Sequence, residues 1–353
     1  MRNLFLLALL CGCGSALAGT INVTSPNSGD FLGKTNSVSF NITGAVAQVK
    51  ITVTATLDSN PAINVQVVRQ FTPNVEGEID SSVPLNFSES TPEGAYTLTV
   101  VATEPGATYN SVPPIPVTID VKDPKFGDSN PLTGAFVKGI VPIVVDLVES
   151  FVDEWRVRIN GSDIPNNSGS TNQVVVNWDS NTVIIDGEQT INISVEDLAN
   201  NTATKDISVT VDRINPSSTI LAPSSGAIIR PESRIAVVVD VNDQFTNSVH
   251  FTGIDVRLKT LGDVDLGPVP RRNVKTVGNK ISWTGRIRSI SSLPNSFKIV
   301  VTAIDRAGNV AVVQEVTVTV SGSRDRNTRV KRGRQRGDGK TVRKGRGRGN
   351  GLF

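Results

Sequence analysis

Residues 189–201 read Gln189-Thr190-Ile191-Asn192-Ile193-Ser194-Val195-Glu196-Asp197-Leu198-Ala199-Asn200-Asn201. Ile191, Ile193 and Val195 alternate with Thr190, Asn192, Ser194 and Glu196, the period-two pattern of a strand with one buried face. The pattern stops at Asp197. Asp and Asn then supply turn chemistry, bonding the local backbone through their side chains and tolerating the left-handed region. Alternation resumes at Ile207, Val209 and Val211. One strand, a five-residue turn and a returning strand are therefore expected.

The same unit recurs. Phe297, Ile299, Val301 and Ala303 lead into Asp305-Arg306-Ala307-Gly308-Asn309 and then Val316, Val318 and Val320. A looser copy has Tyr96, Leu98, Val100 and Ala102, with Glu104-Pro105-Gly106-Ala107-Thr108 as its turn, then Val117, Ile119 and Val121. Upstream, each copy opens on Pro-x-x-Gly: Pro26 and Gly29, Pro131 and Gly134, Pro223 and Gly226. Self-similarity at this long period, with many short Val- and Thr-rich strands and no sustained 3.6-residue period, predicts three antiparallel β-sandwiches and almost no helix. The expected units are 19–122, 123–214 and 215–322. Pro124 and Pro216 stiffen the short junctions, so a semi-rigid string is expected.

The strand pattern, the Asp-x-Ala-(Gly/Asn)-Asn turn and the junction Val209-Thr210-Val211-Asp212-Arg213-Ile214-Asn215-Pro216 resemble tandem bacterial Ig-like domains of exported surface and adhesin-type proteins. The resemblance spans nearly all of residues 19–322, and repeat one departs from it at its turn. It implies an immunoglobulin-like fold and carries no shared catalytic residues.

The composition narrows the chemistry further. The chain has 353 residues, with two Cys, one His and one Met. Cys/His zinc sites and haem ligation are excluded, and nucleophilic catalysis has few parts to work with. His250 has no nucleophile-elbow pattern beside it. Trp155, Trp178 and Trp283 stand among Val and Ile in strands, which favours core packing over sugar stacking. The Asp and Asn of the five-residue turns read as turn caps in preference to calcium ligands. Asp123 and Asp212 are the better placed acids for a cation, but each is isolated in sequence. No catalytic, cofactor or metal residue is assigned, and no cofactor is expected.

Met1–Ala18 has Arg2, an apolar run from Leu4 to Leu10 and a small-residue end at Ala16-Leu17-Ala18, the form of a secretory signal peptide. That run is too short to span a bilayer, and no transmembrane segment is expected. Cys13 offers a secondary reading as a lipid anchor. Both cysteines fall in this leader, so the exported chain has no disulfide and depends on its cores.

The other end changes character. Ser323–Phe353 holds 12 Lys/Arg, two Asp and seven Gly, a net charge of +10, whereas residues 19–323 carry −9. With almost no apolar side chains the tail is expected to be disordered. Arg329, Lys331, Arg332, Arg334, Arg336, Lys340, Arg343, Lys344, Arg346 and Arg348 are its candidate polyanion-binding residues. Acidic polysaccharide, lipopolysaccharide and extracellular nucleic acid are the expected partners, with other surface proteins also open. The expected function is a non-enzymatic structural or adhesive rod, secreted or at the cell surface or in the periplasm. A carbohydrate- or other ligand-binding module is the alternative.

Overall fold

The computed structural model describes residues 19–58, 64–109, 113–230, 233–288 and 292–321. The expected leader, with the Cys13 lipid-anchor reading, and the basic tail lie outside them. Among the described residues the fold is all-β, and Ser180–Thr182 forms a short 3-10 turn. No helix among them is long and apolar enough to cross a membrane.

The described residues divide into two compact units, 19–215 with 305–309, and 216–304 with 310–321. The first unit contains two sandwiches. In the first of these, β1 (Thr20–Ser25), β3 (Thr35–Thr43) and β6 (Ile79–Asn86) form one sheet. The other sheet has the order β2 (Phe31–Leu32), β9 (Ile115–Ile119), β7 (Gly94–Glu104), β4 (Ile51–Asp58) and β5 (Asn64–Phe71), with β8 (Ala107–Tyr109) paired to β7. The next sandwich sets β10 (Lys125–Asn130), β12 (Ile140–Val148) and β15 (Gln173–Asp179) against a second sheet. That sheet runs β11 (Ala135–Val137), β17 (Thr202–Val211), β16 (Gly187–Asp197), β13 (Val152–Ile159) and β14 (Ser162–Gly169).

The second unit repeats the plan with one extra strand. Its sheets are β18 (Ser217–Ala222), β20 (Ile235–Asn242), β24 (Lys280–Ile287) and β23 (Arg271–Val277), against β19 (Ile228–Ile229), β26 (Gln314–Val320), β25 (Ser296–Asp305), β21 (Val249–Lys259) and β22 (Asp265–Pro268). In each sandwich the second sheet places the last strand beside the strand of the turn-bearing repeat. This is the Greek-key division of an immunoglobulin-like sandwich.

Each sandwich buries its own cluster of alternating residues. In β16, Ile191, Ile193 and Val195 face inward and their polar neighbours do not. All three tryptophans are core residues: Trp155, Trp178 and Trp283 are 5%, 2% and 1% exposed. Trp178 on β15 stands opposite Val141, and Trp283 on β24 stands opposite Val239. Gly285 keeps space for the latter ring, since a Cβ there would lie 2.4 Å from it.

The Pro-x-x-Gly openings turn out to be sheet crossings. Pro26, Pro131 and Pro223 follow cis peptide bonds, and Gly29, Gly134 and Gly226 take positive φ of 93°, 83° and 78°. The three glycine amides donate to the carbonyls of Pro116, Ser208 and Thr317, each at 2.8 Å. The chain thereby leaves the first sheet and starts the second beside its final strand. The resulting pairs β2–β9, β11–β17 and β19–β26 are parallel.

Candidate functional site: an acid-lined cleft in the first unit

The turn Asp197–Asn201 is built as the sequence suggests. Asp197 Oδ1 accepts the amides of Ala199 and Asn201 at 2.8 and 2.9 Å. Its Oδ2 accepts Asn201 Nδ2 at 2.9 Å. Asn200 takes the left-handed φ of 63°. The turn Asp305–Asn309 shares two of these bonds, Asp305 accepting the Asn309 amide at 2.7 Å and its Nδ2 at 2.7 Å, with Gly308 at φ 83°.

What the sequence does not reveal is where the last Asn points. Asn201 Nδ2 also donates 2.9 Å to the backbone carbonyl of Asp120, just beyond the last strand of the preceding sandwich. Asn309 Nδ2 likewise donates 2.8 Å to the carbonyl of Asp212. The five-residue turn is thus a cap for itself and a clamp on the chain before it. A period-two reading sees only the first role, because the second depends on pairing across a junction.

Other groups close the same junction. A Cβ on Gly33 would lie 2.2 Å from the Ala199 carbonyl oxygen, so the backbones meet at a place only glycine fits. The rings of Phe31 and Phe151 lie 4.7 Å apart at 53°. Lys34 Nζ bonds Asp123 at 2.8 Å. Asp123, one of the isolated acids of the sequence, is therefore an ion-pair partner here.

Beside this clamp is an open cleft of about 490 Å³ lined by Glu93, Asp120, Lys122, Glu149 and Phe151 among others. Oxygens of Asp120, Glu149 and Asp197 lie within 4.8 Å of one another. Oxygen donors in such a group suit a hard cation such as calcium. The Asp197 oxygens, however, are already engaged by the turn. Burial, helped by the nearby Asp197, Glu149 and Glu93 and opposed by the Lys122 amide, pushes the Asp120 carboxyl up to about 6. Glu93 moves the other way: against the upward pull of burial, its bond to Lys122 holds it below the usual carboxylate range.

The cluster escapes sequence reading because its three acids come from separate segments, and Asp120 looks like any strand-end residue. The ten candidate residues of the tail, Arg329 to Arg348, lie outside the described residues. His250 sits on β21 with Nδ1 2.8 Å from Thr252 Oγ1.

No family model matches the chain, and no curated protein matches it. Similar solved structures include fibronectin(III)-like modules of Clostridium thermocellum CbhA, at 12% identity over 56% of this chain and 94% of that chain, TM-score 0.39. A Ca2+-stabilized adhesin with which an Antarctic bacterium binds ice is 18% identical over 87% of this chain and 76% of that chain, TM-score 0.29. A 1.5-MDa bacterial ice-binding adhesin is 17% identical over 86% of this chain and 98% of that chain, TM-score 0.29. Likeness at these levels carries no function, and the fold rests on the sheets themselves. The chain is a tandem array of immunoglobulin-like sandwiches.

Proposed function

We propose that this is a non-enzymatic, exported adhesive protein in which tandem sandwiches serve as a protease-resistant spacer and the basic tail contacts anionic polymers. The observation that carries the reading is the charge division: −9 over residues 19–323 against +10 over Ser323–Phe353. An Arg/Gly-rich segment forms bidentate bonds to phosphate or sulfate, and its glycines let the backbone follow a polymer. The clamped junction of the first unit supports the spacer role, since it fixes one sandwich on the next through buried bonds. The alternative of a carbohydrate module gains nothing from the tryptophans, all three of which are buried and offer no stacking face.

The test is binding of heparin or duplex DNA against salt. Affinity for DNA should fall about a thousandfold from about 50 to 200 mM salt if six or more phosphates are neutralised. Deleting Ser323–Phe353 should abolish it. Binding that survives the deletion with the same salt slope overturns the tail's role.

A further inference from the structure

We propose that β23, Arg271–Val277, is a docking edge for an extended acidic peptide segment of a partner protein. Three observations meet on this strand. It is the terminal strand of its sheet, hydrogen-bonded only to β24 among the described strands. All seven of its residues are exposed, Val277 at 77%. And Leu266–Ile304 contains seven Lys/Arg and no Asp/Glu.

An exposed edge offers a row of backbone donors and acceptors to any strand that can reach it, and proteins ordinarily blunt such edges. Some of the other terminal strands show such blunting, although β5 and β15 are regular along their length and differ from β23 in charge. β6 carries Pro84 and β14 carries Pro165. β1, β10 and β18 each break register against their partner. In β23 the register shifts once, between Arg271 and Asn273. From Asn273 to Val277 it then runs without interruption against Thr284 to Lys280. Five consecutive residues thus present a regular edge.

The charge selects the occupant. Lys280 pairs with Asp240, and Lys298 with Asp263 and Glu315. Arg271 is held on Phe251, donating to its carbonyl at 3.0 Å with the guanidinium 5.4 Å from the ring. Arg272, Lys275 and Arg286 have no ion pair among the described residues. Arg286 enters at the same end as Arg271, its amide donating to the Pro270 carbonyl at 3.2 Å. A second β23 laid alongside would bring like charges together, which disfavours self-pairing. A strand with Glu or Asp at alternate positions gains both ladder bonds and ion pairs, the mode in which a peptide extends a sheet. A polysaccharide could use the charge but not the ladder. The regular edge therefore favours a peptide.

The full chain would be titrated with a labelled peptide of about ten residues alternating Glu and Val, and with the same peptide N-methylated at alternate amides. N-methylation leaves charge intact and removes strand bonds, and it leaves the protein untouched. The expected result is at least a tenfold loss on N-methylation. A tenfold loss is also expected for Lys275→Glu, with Lys50→Glu on the first sandwich within twofold of the parent. Hydrogen exchange should slow at Asn273–Val277 when the unmethylated peptide is present. Equal binding of both peptides shows attraction by charge alone, from the tail or a polyanion surface, and overturns the proposal. So does peptide binding that leaves exchange at β23 unchanged.

Discussion

The closing hairpins of the first two sandwiches occupy the same place in the fold and are made differently. In the first, Glu104 pairs directly with Ala107 across Pro105-Gly106, with Gly106 at φ 89°, and the chain continues as β8. In the second, Asp197 is 1% exposed and collects three hydrogen bonds from its own turn, while Asn201 reaches the preceding sandwich. No described sandwich precedes the first. The first turn closes as a plain glycine hairpin, whereas the Asp…Asn turn of the second reaches across to the chain before it. The motif that marks the repeat in sequence is therefore also the junction's fastener.

The sharpest way to break this comparison is to remove both acids in turn. Asp197→Ala leaves two buried amides and the Asn201 side chain without their acceptor, and should cost about 3 kcal/mol in denaturant unfolding. Glu104→Ala should cost less than about 1 kcal/mol. Equal costs would show that the turn is not specialised. Next in size is Gly33→Ala, whose methyl must displace the Ala199 carbonyl. It should destabilise the first unit by about 1–3 kcal/mol and open the junction near Val121 to protease. Resistance equal to the parent's would show that the close approach carries no constraint.

The smallest expected effect sharpens the electrostatic side. Asp120 has its folded-state value raised to about 6 from 3.8, so between those values the folded protein binds more protons than the unfolded chain. Its contribution favours folding in acid and is lost as pH rises through about 6. Asp120→Asn should flatten that part of the stability profile and stabilise the protein at pH above 6 by about 1 kcal/mol, the full rise being discounted for solvent screening at the open cleft. An unchanged profile would place the acid-sensitive group elsewhere.

Much of this was readable from residues alone. Ile191, Ile193 and Val195 gave their strand and its buried face through spacing. Asp197 and Asn200 gave a turn through side-chain chemistry. The Pro-x-x-Gly openings were visible as a repeat, but their work as crossings was not, since Gly29 finds Pro116 only after the sandwich closes. The acid cluster was hidden for a similar reason: Asp120, Glu149 and Asp197 become neighbours only when two sandwiches dock. β23 was hidden by its own composition, because Arg271-Arg272-Asn273-Val274-Lys275-Thr276-Val277 lacks the alternation that marks a half-buried strand.

The parallel pairing of the shortest strands with the last ones has a mechanical consequence. Within one sandwich, β2 enters and β9 leaves along the same sheet, side by side and pointing the same way. A pull applied at the two ends of that sandwich draws these strands past each other lengthwise. Their hydrogen bonds then bear the tension together, in shear, instead of opening one after another like a zipper. The same holds for β11 with β17 and β19 with β26, so each sandwich has its own brake against extension.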